Sequence, residues 1–260
     1  MNQIKLIASD LDGTLLLNGN TTVDDNTLGM IEELIKNGVV FVAASGRQYE
    51  NLQKLFYPVK DSIAYICYNG CYSIYKGEVF YKRFLDGSLA KKIVHDINEA
   101  DDCDAMVSVA GAECICPQKT DLADTLKNKV LAQYRIVPDL TNMNEEVYKI
   151  GVYSEKGNIN SDYWKEKYGE ICTVQDSGTQ WLDIVPKGIN KGIALNKLLS
   201  DLNISPDNCI AFGDNENDIE MLKTVGYPIT MQSASPKIQK YGIYSTNTVA
   251  DSLLKLLQRA

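Results

Sequence analysis

The chain has 260 residues, 45% of them hydrophobic and 23% charged, and a formal net charge of −8. That length supports a full hydrophobic core and lies near the size at which one core divides into two domains. The acidic balance disfavours nucleic acid or an anionic membrane as a partner, and no apolar run approaches membrane-spanning length.

Ile4 to Ser9 reads as a strand buried on both faces of a parallel sheet, and it runs into Asp10-Leu11-Asp12-Gly13-Thr14. In extended geometry alternate side chains share a face, so Asp10 and Asp12 are expected to project into one pocket. An amphipathic helix near Thr27–Lys36 leads to a second buried run, Val39–Ala44, which ends in Ser45-Gly46-Arg47. A helix follows Arg47. From Ile63 to Phe84, the turn dipeptides Asn69-Gly70 and Lys76-Gly77 predict β-hairpins.

The texture then changes. Leu89, Ile93, Ile97 and Ala100 form one helical face, Ala105–Val109 and Glu113–Cys116 read as strands, and a helix is expected near Leu122–Leu131. Strands at Tyr148–Tyr153, Ile171–Gln175 and Gln180–Val185 surround a short helix near Asp162–Tyr168. Paired strands with intervening helices predict an α+β unit with an antiparallel sheet. Past Pro186-Lys187-Gly188 the first texture returns. A helix opens at Lys191, and the run Cys209–Phe212 ends in Gly213-Asp214-Asn215-Glu216-Asn217-Asp218. A helix from about Asp218, a strand at Tyr227–Met231 and a last helix behind a Thr248–Asp251 capping box complete the chain. The expected organisation is α/β: a doubly wound parallel-sheet core, Rossmann-like, at 1–85 and 186–260, with an inserted α+β domain at 86–185.

Open parallel sheets place their chemistry beyond the carboxyl ends of their strands. Here those ends carry an acid pair, a hydroxyl with a glycine, and an acid cluster, with a lysine opening a helix. Taken singly, each has a plainer reading: Ser45-Gly46 as a turn, Lys191 as a solvated helix start, Asn217 as a cap. If the sheet gathers Asp10, Asp12, Asp214 and Asp218, like charges near 4 Å repel by about 4 kcal/mol per pair at an effective dielectric of ~20. Such a cluster requires a cation, a shared proton, or both. Its ligands are hard oxygens, and His95, the one histidine, lies in the inserted domain; Mg2+ suits that set better than zinc or copper.

The order DxDGT, SGR, K and GDxxND resembles the haloacid dehalogenase superfamily, in particular its Cof-type sugar-phosphatase branch, whose large cap lies between the second and third motifs. The resemblance covers the whole chain and makes 86–185 a cap that confers substrate selectivity. It implies that Asp10 is a nucleophile forming an aspartyl phosphate, and that Asp12 is the general acid and base. Mg2+ would be held by Asp10, the Asp12 backbone carbonyl and Asp214, with Asp218 supporting the metal shell. Leu11, Ser45, Gly46, Lys191 and Asn217 carry over as phosphate contacts. Arg47, Asn69 and Asp183 are candidates for the substrate-facing rim, and Trp181 for either that rim or cap core.

The implied activity is hydrolysis of a small soluble phosphate ester, a sugar phosphate above all. Two alternatives share parts of this chemistry: a phosphomutase or phosphotransferase using the same aspartyl phosphate, and a phosphate-dependent signalling module. The seven cysteines form no CxxC pair and sit mostly in apolar surroundings, which predicts small buried hydrophobes in a reducing compartment. A cytoplasmic monomer or small homo-oligomer is expected, with a phosphorylated metabolite as partner and neither nucleic acid nor membrane.

Overall fold

A computed structural model of the chain describes residues 4–258. In chain order its first elements are β1 (Leu6–Ser9), α1 (Asp25–Lys36), β2 (Val40–Ala44), α2 (Tyr49–Leu55), β3 (Ala64–Cys67), β4 (Tyr72–Tyr75) and β5 (Glu78–Lys82). Then come α3 (Gly87–Glu99), β6 (Asp104–Val109), β7 (Ala112–Ile115), α4 (Leu122–Thr125), β8 (Tyr134–Ile136), β9 (Lys149–Tyr153), α5 (Ser161–Tyr168), β10 (Cys172–Asp176) and β11 (Trp181–Pro186). The last are α6 (Lys191–Asp201), β12 (Cys209–Gly213), α7 (Ile219–Thr224), β13 (Tyr227–Met231), α8 (Pro236–Gln239), β14 (Tyr244–Thr246) and α9 (Val249–Leu257).

Two compact units result. Among the described residues the first takes 4–45, 52–81 and 190–258; the second takes 46–51 and 82–189. The second unit is thus longer at both ends than the sequence suggests, and it also claims the six residues after Ser45. The first unit holds an eight-stranded sheet in the order β14-β13-β12-β1-β2-β3-β4-β5. The pairs from β14 through β3 are parallel, and β4 runs antiparallel to β3. Leu6, Ala8, Val42, Ala44, Ala64 and Ile66 pack beneath Ala194, Leu195 and Leu198 of α6. The intervening Ile7, Phe41, Ala43 and Tyr65 are buried equally on the other face. Burial on both faces is why these strands read as unbroken apolar runs, and each large side chain so buried stabilises by about 1.5–3 kcal/mol.

Capping fixes the helices. Asp24 accepts from the Thr27 amide to start α1, and Thr248 accepts from the Asp251 amide to start α9. The second unit has a six-stranded sheet, β10-β11-β9-β6-β7-β8. It is antiparallel from β10 to β7, but β8 joins β7 in parallel. Ile93 and Ile97 of α3, Trp164 of α5 and Val107, Ile150, Val152 and Leu182 from the sheet share its main core. The helix expected at Leu122–Leu131 keeps α geometry only to Thr125; a π turn follows and closes at Leu131 with φ 56°. None of the seven cysteines is in a disulfide, and all but Cys116 are buried. No helix among the described residues is long and apolar enough to cross a membrane.

Candidate active site

β12, β1 and β2 are parallel neighbours in register, with Ser9 level with Phe212 on one side and Ala43 on the other. Their carboxyl ends therefore lie side by side, and Asp214, Asp10 and Ser45 follow them directly. The Asp10 amide donates to the Phe212 carbonyl at 3.0 Å, which continues the ladder one residue past β1. Extended geometry stops there. Residues 11–16 turn tightly, with the Thr14 and Leu16 amides both donating to the Leu11 carbonyl at 3.1 and 2.7 Å. Asp10 is buried, whereas Asp12 lies in the turn and is exposed. Turn geometry, not strand pleat, sets their relation.

Gly13 is required twice over in that turn. Its φ of 88° suits glycine, and a Cβ there would stand 2.3 Å from Asp214 Oδ2. Beside it, the Thr14 hydroxyl donates to Asp214 Oδ1 at 2.7 Å. The sequence drew attention to Thr14 without giving it a role; its role is to orient Asp214.

Lys191 opens α6, whose cap residue Asn190 accepts from the Ile193 amide at 2.9 Å. Its side chain is wholly buried, with Nζ 2.5 Å from Asp10 Oδ1 and 2.7 Å from Asp218 Oδ1. The second oxygen of Asp218 accepts from the Asp214 and Asn215 amides, each at 3.0 Å. Asp218 thus spends both oxygens on the protein and braces the site. Carboxylate oxygens of Asp10, Asp214 and Asp218 lie within 4.8 Å of one another.

The electrostatics follow. Burial, then the charge of Asp218, push the Asp10 carboxyl well above its ordinary range, with Lys191 opposing and Asp214 adding to the rise. Burial raises Asp214 as well, against the hydrogen bond from Thr14. Burial by itself would lower Lys191, but Asp10 and Asp218 outweigh it and hold the ammonium above its usual value. Three carboxylates against one ammonium leave two negative charges unbalanced when all are ionised. A divalent cation would offset both, and the donors offered are hard oxygens, so the set fits magnesium.

The other expected site residues divide between the units. In the first unit, Ser45 is buried, donating its amide to the Ile66 carbonyl at 2.8 Å. Its own carbonyl accepts from the Asn69 amide at 3.1 Å. Asn217 Nδ2 donates to Asn69 Oδ1 at 3.2 Å. Leu11 is fully buried beneath the turn. Asn69, expected at a substrate-facing rim, is instead only 1% exposed.

Gly46, Arg47 and Asp183 belong to the second unit. There the Gly46 carbonyl accepts from Lys149 Nζ at 3.1 Å, and Arg47 Nη1 donates to Asn51 Oδ1 at 3.1 Å. Asp183, also expected at the rim, is 3% exposed; it pairs with Lys149 at 3.1 Å and accepts from the Ser177 hydroxyl at 2.8 Å. Its neighbour Trp181 packs on Tyr153, ring centroids 4.5 Å apart. Residues 46–51 are fastened by side chains as well as by Lys149: Gln48 exchanges two hydrogen bonds with the Gln133 backbone, and Asn51 donates to the Leu131 carbonyl. Sequence reading missed Lys149. The available signal was a lysine opening the otherwise apolar run Ile150–Tyr153.

Comparison with known proteins bears on the family and the fold. Residues 7–255 match the family model for haloacid dehalogenase-like hydrolases. The 5-amino-6-(5-phospho-D-ribitylamino)uracil phosphatase YbjI of Escherichia coli K12 is 24% identical, over 98% of this chain and 97% of its own. The HMP-PP phosphatase of Serratia proteamaculans is 27% identical over 90% of this chain and 86% of its own. Among solved structures, the subclass IIB sugar phosphatase BT4131 superimposes with a TM-score of 0.80 at 20% identity, covering 96% of this chain and 98% of that one.

Proposed function

Since the chain belongs to the haloacid dehalogenase-like hydrolases, we propose that it is a magnesium-dependent phosphatase of a small phosphorylated metabolite, a sugar phosphate above all, working through an aspartyl phosphate on Asp10. The observation that carries this reading is the buried Lys191 ammonium bridging Asp10 and Asp218, with Asp214 alongside. Phosphatases among its relatives support the substrate class.

Asp10 and Asp214, with the Asp12 carbonyl, would hold the magnesium, and when bound it offsets negative charge on the phosphoryl group. An Asp10 carboxylate oxygen attacks phosphorus; the bond from phosphorus to the ester oxygen breaks as the new one forms. Asp12 gives its proton to the departing alkoxide. Water then attacks the aspartyl phosphate, Asp12 takes the water's proton, and Asp10 is restored as phosphate leaves. The net change is ester plus water to alcohol plus phosphate. Lys191 opposes the rise that burial imposes on Asp10 and faces the charge that gathers around phosphorus. Ser45, Asn217, the Leu11 amide and the Gly46 amide serve as phosphate donors. The second unit acts as the cap that selects the leaving group.

Release of inorganic phosphate from a panel of phosphorylated metabolites, with magnesium and then with a chelator, tests the reading. Magnesium-dependent release, with label from a phosphate-labelled ester trapped on wild-type protein but not on Asp10→Asn, is the expected result. Undiminished turnover in chelator removes the metal assignment. Transfer to a sugar hydroxyl in place of water would make the protein a phosphotransferase, and a stable stoichiometric phosphoprotein a signalling module.

A further inference from the structure

Tyr68, Asn69 and Gly70, between β3 and β4, have φ values of 49°, 57° and 104°. Three successive left-handed residues, two with side chains, are costly and persist only where surrounding structure enforces them. Their contacts suggest what the turn does. The Asn69 amide donates to the Ser45 carbonyl at 3.1 Å. Asn69 Oδ1 accepts from Asn217 Nδ2 at 3.2 Å. Gly70 lies so close to the start of α6 that a Cβ would stand 2.4 Å from the Asn190 carbonyl oxygen, next to Lys191. One turn therefore touches the segments that bear Ser45, Asn217 and Lys191.

We propose that Asn69 is a positioning residue for phosphate binding, its amide holding the Ser45 backbone while its side chain orients the Asn217 amide. This deepens the phosphatase reading and rests on Ser45 and Asn217 acting as phosphate donors. An amide group presents an oxygen on one side and two N–H bonds on the other. By taking one N–H of Asn217, Asn69 decides which way that group faces and keeps its second N–H available. Asn217 Oδ1 is buried with no hydrogen-bond partner among the described residues, so no bond to that oxygen fixes the flip. Asparagine suits both tasks, because it tolerates left-handed backbone better than most residues with a Cβ and carries an acceptor.

The test uses four variants of the full chain with magnesium: Ser45→Ala, Asn217→Ala, Asn69→Gly and the double variant Asn69→Gly/Asn217→Ala. Glycine keeps the left-handed backbone and the amide to Ser45 but removes the side chain, so the protein should fold. Readouts are kcat/KM on p-nitrophenyl phosphate, the inhibition constant of inorganic phosphate, and melting temperature. Asn69→Gly should lower kcat/KM about five- to tenfold, the size expected for one hydrogen bond, and weaken phosphate inhibition in parallel. The double variant should fall within about threefold of Asn217→Ala alone, since both act on one amide. Asn69→Ala, which strains the backbone, should lose more than Asn69→Gly. Full kcat/KM in Asn69→Gly while Ser45→Ala and Asn217→Ala are impaired overturns the inference and spares the phosphatase reading. So do losses that multiply in the double variant, or a lowered melting temperature with kinetics unchanged. Full turnover in both Ser45→Ala and Asn217→Ala instead removes the donor assignment on which it rests.

Discussion

Replacing Lys191 with methionine removes one buried charge and leaves most of the volume in place. The ammonium stands 2.5 Å from Asp10 Oδ1 and 2.7 Å from Asp218 Oδ1 with no solvent exposure. At those separations each contact is worth about 6 kcal/mol of Coulomb attraction at an effective dielectric of ~20, before desolvation is subtracted. Desolvation consumes much of that, and removing one partner of a buried pair typically costs about 3–5 kcal/mol. In a chain of this size the melting temperature should drop by roughly 6–20 °C. Methionine fills the space of the lysine stem, so the loss reports charge more than cavity. Turnover should fall by about 10²–10³-fold, as when one electrostatic donor is removed from other sites. That factor should be similar for a sugar phosphate, p-nitrophenyl phosphate and acetyl phosphate, because the charge concerned is common to all three. Phosphate release and thermal unfolding are measured side by side, with Lys197→Met as control. Lys197 lies on the same helix but is exposed and paired with Asp201, so neither readout should move by more than about 1 kcal/mol. Turnover retained within a few-fold, or lost for one ester alone, would refute the role given to Lys191.

Asp12→Asn should lose less in the phosphorylation step with p-nitrophenyl phosphate, whose leaving group needs no proton, than with a sugar phosphate; equal losses in single-turnover measurements would count against Asp12 as general acid. Asp183→Ala strands the buried Lys149 and should destabilise by about 3–5 kcal/mol in denaturant unfolding; a small loss would mean that Lys149 finds another anion. Glu113 is fully buried, takes a hydrogen bond from Ser108 at 2.6 Å, and is faced by Gln48, Lys149 and Asp183; burial raises its carboxyl above the ordinary range, with Lys149 opposing. A raised carboxyl contributes stability fully below its unfolded pKa and loses it as pH rises through the native value. Glu113→Gln, which cannot ionise, should therefore melt above wild type at pH ~7 and lose that advantage near pH ~4.5; an advantage that grows on acidification would reverse the argument.

What the sequence made legible depended on distance along the chain. The apolar runs of β1, β2, β12 and β13 are local signals, and parallel pairing puts the residues after them at one edge whatever intervenes. Asp10, Ser45, Asp214 and Asp218 could therefore be read before any coordinates. The relation of Asp10 to Asp12 could not, because the turn is set by amide bonds to Leu11 and by Gly13 yielding space to Asp214. The Lys149–Asp183 pair joins β9 to β11 across 34 positions, and nothing near either residue announces the other. β8 and β14 span only three residues each and lie at the sheet ends, too short for alternation to register. Membership of 46–51 in the second unit depends on Gln48, Asn51 and Lys149 finding partners up to 103 positions away.

The strand order also fixes when this centre can exist during synthesis. β1 is made before the other strands of its sheet, yet one of its two sheet neighbours is β12, and Thr14 meets Asp214 across a separation of 200 residues. At ribosomal speeds of about 5–20 residues per second, roughly 10–40 s pass before that neighbour emerges. Throughout that interval the all-apolar edge of Leu6–Ala8 has a vacant hydrogen-bonding side, the kind of template on which nascent chains aggregate. The acidic cluster, meanwhile, lacks Lys191 and stays dispersed along a growing chain. The assembled acidic cluster and the covering of β1 therefore arrive together, only once Lys191 and β12 have both been made.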